Sequence, residues 1–342
     1  MASPSFQRAL VLGATGMIGA HAVRACLARG IGVRAFVRPQ SEGDLLERLR
    51  PTASGSDLDI TVGDLHDPSS VRRAIDGCDL VLHAAAPYPR RHFGKRRFLA
   101  DARSGMRNLL AASSEAAGGR LRRLVYVSSS TAIGLSRHPG EPARESDLDR
   151  APDDSPYFAV KFMMEDMALE AQRTGLPVVL VHPTLCVDEY DDHRTTARLL
   201  VPLAKRQLPA YLKGVLNAVA TRDVGEGILL AALRGRLGER YILGGENLAT
   251  REFLARCARI AGVAAPRLAL PLPLAETIAW TTEALAHATG GLPLFPLSGI
   301  RMSKWSQPFS IEKARAELGY EPTSLDRAIE RAYAWYRLRG WL

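Results

Sequence analysis

Cysteine is scarce in this chain, with four in 342 residues (Cys26, Cys78, Cys186 and Cys257) and no Cys-x-x-Cys spacing. That excludes a disulfide framework and thiolate zinc sites of the usual spacing, and it reads as reduced thiols in a cytoplasmic protein. No apolar stretch reaches the ~18 residues that a membrane-spanning helix needs. Arg8 and the apolar run from Ala9 to Ala20 have the outline of a short leader segment, but Gly13, Thr15, Gly16 and Gly19 interrupt it. Aromatic residues make up 6%, and no zinc-finger or RNP-like pattern accompanies the net charge of +9, so nucleic acid is not the expected partner. The basic excess is arginine-rich and scattered, apart from one cluster at residues 90–97, and it suits anionic small molecules. Internal repeats and low-complexity segments are absent. Acid is missing at one telling place: no Asp or Glu occurs from Gly30 to Ser41.

What is present begins with Gln7 to Leu12, a short apolar strand. Gly13-Ala14-Thr15-Gly16-Met17-Ile18-Gly19 follows, then a helical pattern through Arg29. Strand, glycine turn and helix in that order is the context of a dinucleotide-phosphate site. Gly13 permits the tight turn, Gly16 lets the backbone approach a pyrophosphate, and Gly19 lets helix and strand pack closely. Free N–H groups at the helix start then face the phosphates. The second strand, Gly32–Val37, ends at Arg38 where an NAD site would carry an acid for the ribose 2′-hydroxyl. An arginine there suits a 2′-phosphate, so NADP(H) is favoured and NAD(H) is the alternative. An exposed strand-end arginine is the plainer explanation of the same residue.

Strands and helices keep alternating after that. Asp59–Leu65 is a third strand with its exit, where Asp64 and Leu65 can meet an adenine. A helix over 68–76 leads to Asp79–Ala86, whose small residues Ala84, Ala85 and Ala86 let the backbone lie close to a ligand. His83 reads as structural. A helix from Phe98 to Ala117 carries Gly105 and Asn108. Leu124–Val127 is a buried strand ending in the hydroxyls of Ser128-Ser129-Ser130, at the usual ligand edge of an open α/β sheet. Leu176–Val181 is a sixth strand and runs into His182-Pro183-Thr184. This predicts an α/β fold, a Rossmann-type doubly wound parallel sheet with a smaller, mostly helical C-terminal substrate-binding part. Residues 1–185 and 215–245 are assigned to the dinucleotide-binding domain, with 215–243 adding a strand, a helix and a further strand to the main sheet. Residues 186–214 and 246–310 are assigned to the substrate-binding part, and 311–342 to a C-terminal helical segment. The stretch 268–300, rich in Leu, Pro and Ala with Trp280 and Phe295, is greasy for a surface lobe: a lid over a lipophilic substrate, a dimer contact or core.

Tyr157 and Lys161 stand four positions apart in a run of helix formers, hence on one face. An ammonium beside a phenol favours the phenolate, lowering its pKa from about 10 and making a proton donor and acceptor for carbonyl chemistry. A lone pair of this kind is common on solvated helix faces; the upstream glycine turn gives it a context.

In this order, the glycine turn, Gly63-Asp64-Leu65, His83-Ala84-Ala85-Ala86, Ser128-Ser129-Ser130, Tyr157…Lys161 and His182-Pro183-Thr184 resemble the extended short-chain dehydrogenase/reductase superfamily over nearly the whole chain. Within it the chain looks like the branch holding dihydroflavonol-4-reductase-like enzymes, 3β-hydroxysteroid dehydrogenases and hopanoid-associated sugar epimerases. Residues 238–247 and 313–320 look most like the last group. The resemblance implies that Tyr157 is the general acid/base and that Lys161 binds the nicotinamide ribose and lowers the tyrosine pKa. It implies that Ser129, counted back from Gly134, holds the substrate carbonyl, and that Pro183 and Thr184 lie near the nicotinamide. Three departures stand out: Val160 where relatives usually have Ser, Ala102 where Asn is common, and Cys186–Asp191 in place of a Gly-Pro-rich turn beside the substrate pocket.

The expectation is an NADP(H)-dependent oxidoreductase acting on a ketone or secondary alcohol of a lipophilic small molecule, with the choice between monomer and homodimer left open. The alternatives are a nucleotide-sugar epimerase or dehydratase, a sterol-type 3β-hydroxy dehydrogenase/decarboxylase, and a cofactor-sensing protein on the same fold. No metal is expected.

Overall fold

The computed structural model describes residues 5–39, 49, 57–86, 95–138, 140–150, 156–289 and 297–342. Its centre is a parallel sheet of seven strands: β1 (Arg8–Leu12), β2 (Gly32–Val37), β3 (Leu58–Val62), β4 (Leu80–His83), β5 (Arg123–Val127), β6 (Val178–Pro183) and β10 (Arg240–Leu243). Their spatial order is β3-β2-β1-β4-β5-β6-β10. The inner strands are near-continuous apolar runs because helices cover both faces of the sheet.

Strand alternation divides the core in two. Ala9 and Val11, Val125 and Val127, and Val179 and Val181 point to one face. There they meet α1 (Met17–Ala28) and α6 (Thr221–Arg234), and α10 (Leu325–Leu338) joins the same core cluster. Leu10 and Leu12, Leu124 and Tyr126, and Val178 and Leu180 point to the other face. That face packs on α2 (Pro68–Ile75), α3 (Lys95–Ala117) and α4 (Pro156–Arg173). Helix α2 starts where Asp67 accepts a hydrogen bond from the Ser69 N–H and Pro68 opens the first turn, a sequence-local start signal.

The chain moves outward from β1 to β3, then returns to β4 on the other side of β1. Such a reversal opens a crevice at the carboxyl ends of the two central strands, the ligand position of doubly wound sheets. The register puts Leu12 beside His83, so Gly13 and Ala84 leave the sheet as neighbours.

The expected contribution of 215–243 to this sheet is only half right. Strand β9 (Val215–Ala220) pairs antiparallel with β11 (Glu246–Ala249) and parallel with β7 (Leu185–Val187) in a separate three-stranded sheet. Only β10 joins the main one. Asn217 in β9 bonds across the small sheet: its Nδ2 donates to the Gly245 carbonyl at 3.2 Å and to Asn247 Oδ1 at 2.8 Å. The region 186–214 is also less helical than expected, with α5 (Ala197–Ala204) followed by β8 (Ala210–Leu212), which pairs with β12 (Leu268–Leu270). Helices α7 (Thr250–Ala261), α8 (Leu272–Thr289) and α9 (Leu297–Ser303) complete the C-terminal region. No helix among the described residues is long and apolar enough to cross a membrane.

Candidate active site

Gly13 sits at φ +84°, and a Cβ there would lie 2.8 Å from the Ala85 nitrogen and 2.9 Å from the Ala84 carbonyl carbon. The left-handed backbone and the close pass of the β4 exit both require glycine. A Cβ on Gly19 would fall 2.0 Å from the Gly13 carbonyl oxygen, so α1 packs directly on the turn that precedes it. Gly16 caps α1 without any side-chain hydrogen bond, which leaves the helix-start N–H groups available to an anion. Thr15, Met17 and Ile18 flank it, half-buried. Ala84, Ala85 and Ala86 are half-buried on the adjacent exit. These residues fit a dinucleotide: small residues on two adjacent strand exits and an uncapped helix start.

The exits of β2 and β3 carry the residues that the sequence assigns to the adenosine end. Arg38 is exposed there. Arg34, four residues earlier, is committed elsewhere: its guanidinium donates to the carbonyls of Ala74 at 2.9 Å and Asp76 at 2.6 Å, at the end of α2. Asp64 is exposed and Leu65 half-buried. Asn108 of α3, to which the sequence assigns no role, holds that exit by donating to the Leu65 carbonyl at 2.8 Å.

The catalytic-type residues converge from β5 and α4. Tyr157 Oη donates to Ser129 Oγ at 3.2 Å. Of the three consecutive serines the geometry brings Ser129 to the phenol; Ser128 turns inward and donates to Glu165. Lys161 is buried one turn beyond Tyr157, and its Nζ donates to the carbonyls of Ser128 at 3.1 Å and Val127 at 3.5 Å. Burial lowers its pKa to about 8, against an opposing pull from Glu165. His83, at the end of β4, is held neutral, its pKa lowered to about 3 by burial and then by the Lys161 charge. Neither of its ring nitrogens has a hydrogen-bond partner. Pro183 closes β6, buried, and Thr184 beyond it donates to Asn217 Oδ1 at 2.8 Å. Ala102 and Val160, the two positions where Asn and Ser are common, are buried in the core beneath.

Sequence reasoning missed Glu165. It is fully buried on α4, four residues beyond Lys161, and it gathers side chains from strands distant in sequence. A signal was available: a carboxylate eight positions after Tyr157 shares the helix face of the pair.

In the Cys186–Asp191 segment, Cys186, Val187, Asp188 and Asp191 are buried, and Glu189 and Tyr190 are half-buried. Asp188 is buried and receives Arg331 at 2.6 and 2.9 Å. Asp191 accepts from the backbone N–H groups of Thr195 and Ala197, both at 2.7 Å, at the start of α5. His21, Asp188 and Glu189 bring ligand-type atoms within 4.8 Å of one another. Arg24, Arg222 and Arg331 already occupy the two carboxylates, so the local charge is positive and disfavours a cation. Residues 90–94 of the basic cluster lie outside the described residues; Lys95, Arg96 and Arg97 open α3.

A parallel sheet with a glycine turn at its switch point, and a Tyr–Lys–Ser group on the neighbouring strand ends, define a nicotinamide-dependent enzyme of the short-chain dehydrogenase/reductase class. The chain belongs to the NAD dependent epimerase/dehydratase family, whose model matches residues 9–244, and is an extended short-chain NAD(P)-dependent oxidoreductase acting on CH–OH and C=O groups. It is similar to a Synechocystis sp. protein provisionally named dihydroflavonol 4-reductase, at 34% identity over 340 residues, 97% of this chain and 95% of that one. It is as similar, at 34% over 335 residues, to sterol demethylase protein B of Methylococcus capsulatus, covering 97% and 98%. Among solved structures it matches a nucleoside-diphosphate-sugar epimerase from Pseudomonas aeruginosa at 30% identity, with a TM-score of 0.78 and coverage of 98% and 99%.

Proposed function

We propose that the protein is an NADP(H)-dependent reductase of a ketone on a lipophilic small molecule, working in reverse as a secondary-alcohol dehydrogenase. The carrying observation is Tyr157 Oη within 3.2 Å of Ser129 Oγ, with a buried Lys161 one turn away. Gly13, Gly16, Gly19, Ala84, Ala85 and Ala86 hold the dinucleotide, with Asp64 and Leu65 at the adenine and Pro183 and Thr184 at the nicotinamide. When bound, that group supplies or accepts a hydride. Ser129 orients the substrate oxygen by hydrogen bond, and Tyr157 transfers its phenolic proton to that oxygen. Lys161 stabilises the phenolate that remains and binds the nicotinamide ribose.

The NADP(H) preference is supported by the absence of acid from Gly30 to Ser41 and by Arg38 being exposed while Arg34 is tied to the end of α2. The lipophilic substrate is supported by the sterol-named relative and by a C-terminal region that exposes Leu268, Leu274, Ile278, Trp280 and Leu285. Residues 186–214 and 246–310 form the substrate-binding part in this reading. A nucleotide-sugar epimerase is the second reading, favoured by the likeness to the Pseudomonas structure. Product analysis with NADPH deuterated on the transferable hydrogen, against lipophilic ketones and nucleotide sugars, separates the two. Deuterium in a reduced product supports the reductase; an isomerised product without net cofactor oxidation overturns it.

A further inference from the structure

Beneath Tyr157 and Lys161 lies a second layer that the proposed chemistry does not use. Tyr157, Lys161 and Glu165 stand at four-residue intervals on α4, so the three share one face of the helix. Glu165 has no solvent exposure. Its Oε2 accepts from Ser128 Oγ and faces His182 Nε2 at 2.8 Å, while its Oε1 accepts from Arg240 Nε at 2.9 Å. Ser128 is therefore held at both ends. Its side chain is bound to Glu165, and its carbonyl receives the Lys161 ammonium at 3.1 Å.

We infer that Glu165 is a positioning residue for the Tyr157–Lys161 pair, fixing the Ser128–Ser129 strand end and supplying the buried negative charge that Lys161 faces. The inference rests on the catalytic reading of that pair.

A buried carboxylate persists only where donors compensate its lost hydration. Here those donors come from four elements. Ser128 follows β5, His182 lies in β6, Arg240 opens β10, and Arg150 precedes α4 at 3.7 Å. Burial on its own would raise the Glu165 pKa; His182, Ser128 and Arg240 outweigh it and hold the carboxyl at about 2. The remaining groups near the pair cannot replace its charge. Tyr126 of β5 is buried, with its phenol pushed well above the usual tyrosine range by burial. His83 of β4 is neutral. Glu165 is thus the anion that opposes the desolvation of Lys161. Removing its charge lowers the lysine pKa further.

The chain has six lysines (Lys95, Lys161, Lys205, Lys213, Lys304 and Lys313), so lysine-selective 13C labelling at Cε gives a resolvable NMR titration. Lys161→Met identifies the signal, which is expected to titrate near 8 in the wild type. Glu165→Gln is expected to lower that midpoint by about one pH unit, tenfold in the ionisation constant, and Glu165→Asp, which keeps the charge, to lower it less. A midpoint unchanged in Glu165→Gln would overturn the inference. If Glu165→Gln does not fold, Glu165→Asp carries the test alone: the shorter side chain draws the carboxylate back from Lys161, so a midpoint that is not lowered would overturn the inference. Wild-type turnover by Tyr157→Phe would instead remove the catalytic reading while leaving the Glu165–Lys161 coupling measurable.

Discussion

Lys161 is charged at a position that resists charge. Burial draws its pKa down to about 8, so neutral lysine becomes appreciable within the ordinary pH range. The ammonium stabilises the Tyr157 phenolate, hence the rate of ketone reduction is expected to fall as the pH rises through about 8, measured as kcat against pH. Glu165 governs the acid side through stability. Its folded pKa, about 2, lies below the ordinary 4.5, so its stabilisation is full above 4.5 and is lost as the pH falls towards 2. Acid unfolding followed by circular dichroism is therefore expected to lose part of its pH dependence between those values in Glu165→Gln. At the adenosine end, Arg38→Ala is expected to weaken NADP(H) binding about tenfold or more by titration calorimetry, leaving NAD(H) binding unchanged.

At the scale of elements, the turn between β1 and α1 is the least forgiving segment. A methyl group on Gly19 meets a backbone carbonyl that cannot rotate away. Gly19→Ala is expected to cost about 1–3 kcal/mol by overpacking, visible in denaturant melts, and to weaken dinucleotide binding with it. This element was legible in the sequence because its cause is local. Glycine spacing, an apolar strand before and a helix after lie within some twenty residues of Gln7. Of the three serines, the one beside Tyr157 Oη is Ser129, the same one that the family resemblance singles out by counting back from Gly134. The partner sheet of Val215–Ala220 was not legible. Its apolar pattern serves a main-sheet strand equally well, and the decision belongs to Asn217 and its bonds to Gly245 and Asn247, about thirty residues downstream. Glu165 was half legible: its helix face followed from spacing, whereas His182 and Arg240 reach it only once β6 and β10 are paired.

For the whole molecule, the C-terminal helix α10 is tied to the Cys186–Asp191 segment through a buried ion pair. Arg331 meets both oxygens of Asp188, whose side chain has no exposure. Asp188 also accepts the Arg222 N–H at the start of α6, so the pair links three segments. Removing one partner leaves the other charge buried. Arg331→Met is expected to destabilise the fold by about 3–5 kcal/mol in a denaturant melt. Nucleotide affinity in the surviving folded fraction is expected to be unchanged, since Asp188 meets α1 at His21, one turn beyond the Gly16 helix start.

The central claim is that Tyr157 moves the proton during hydride transfer. Its most direct test is a single-turnover measurement of NADPH oxidation at 340 nm with a reducible ketone, comparing wild type and Tyr157→Phe. The account predicts a rate lower by about 10²–10⁴-fold with unchanged NADPH affinity. Hydride transfer at the wild-type rate without the phenolic hydroxyl would contradict it.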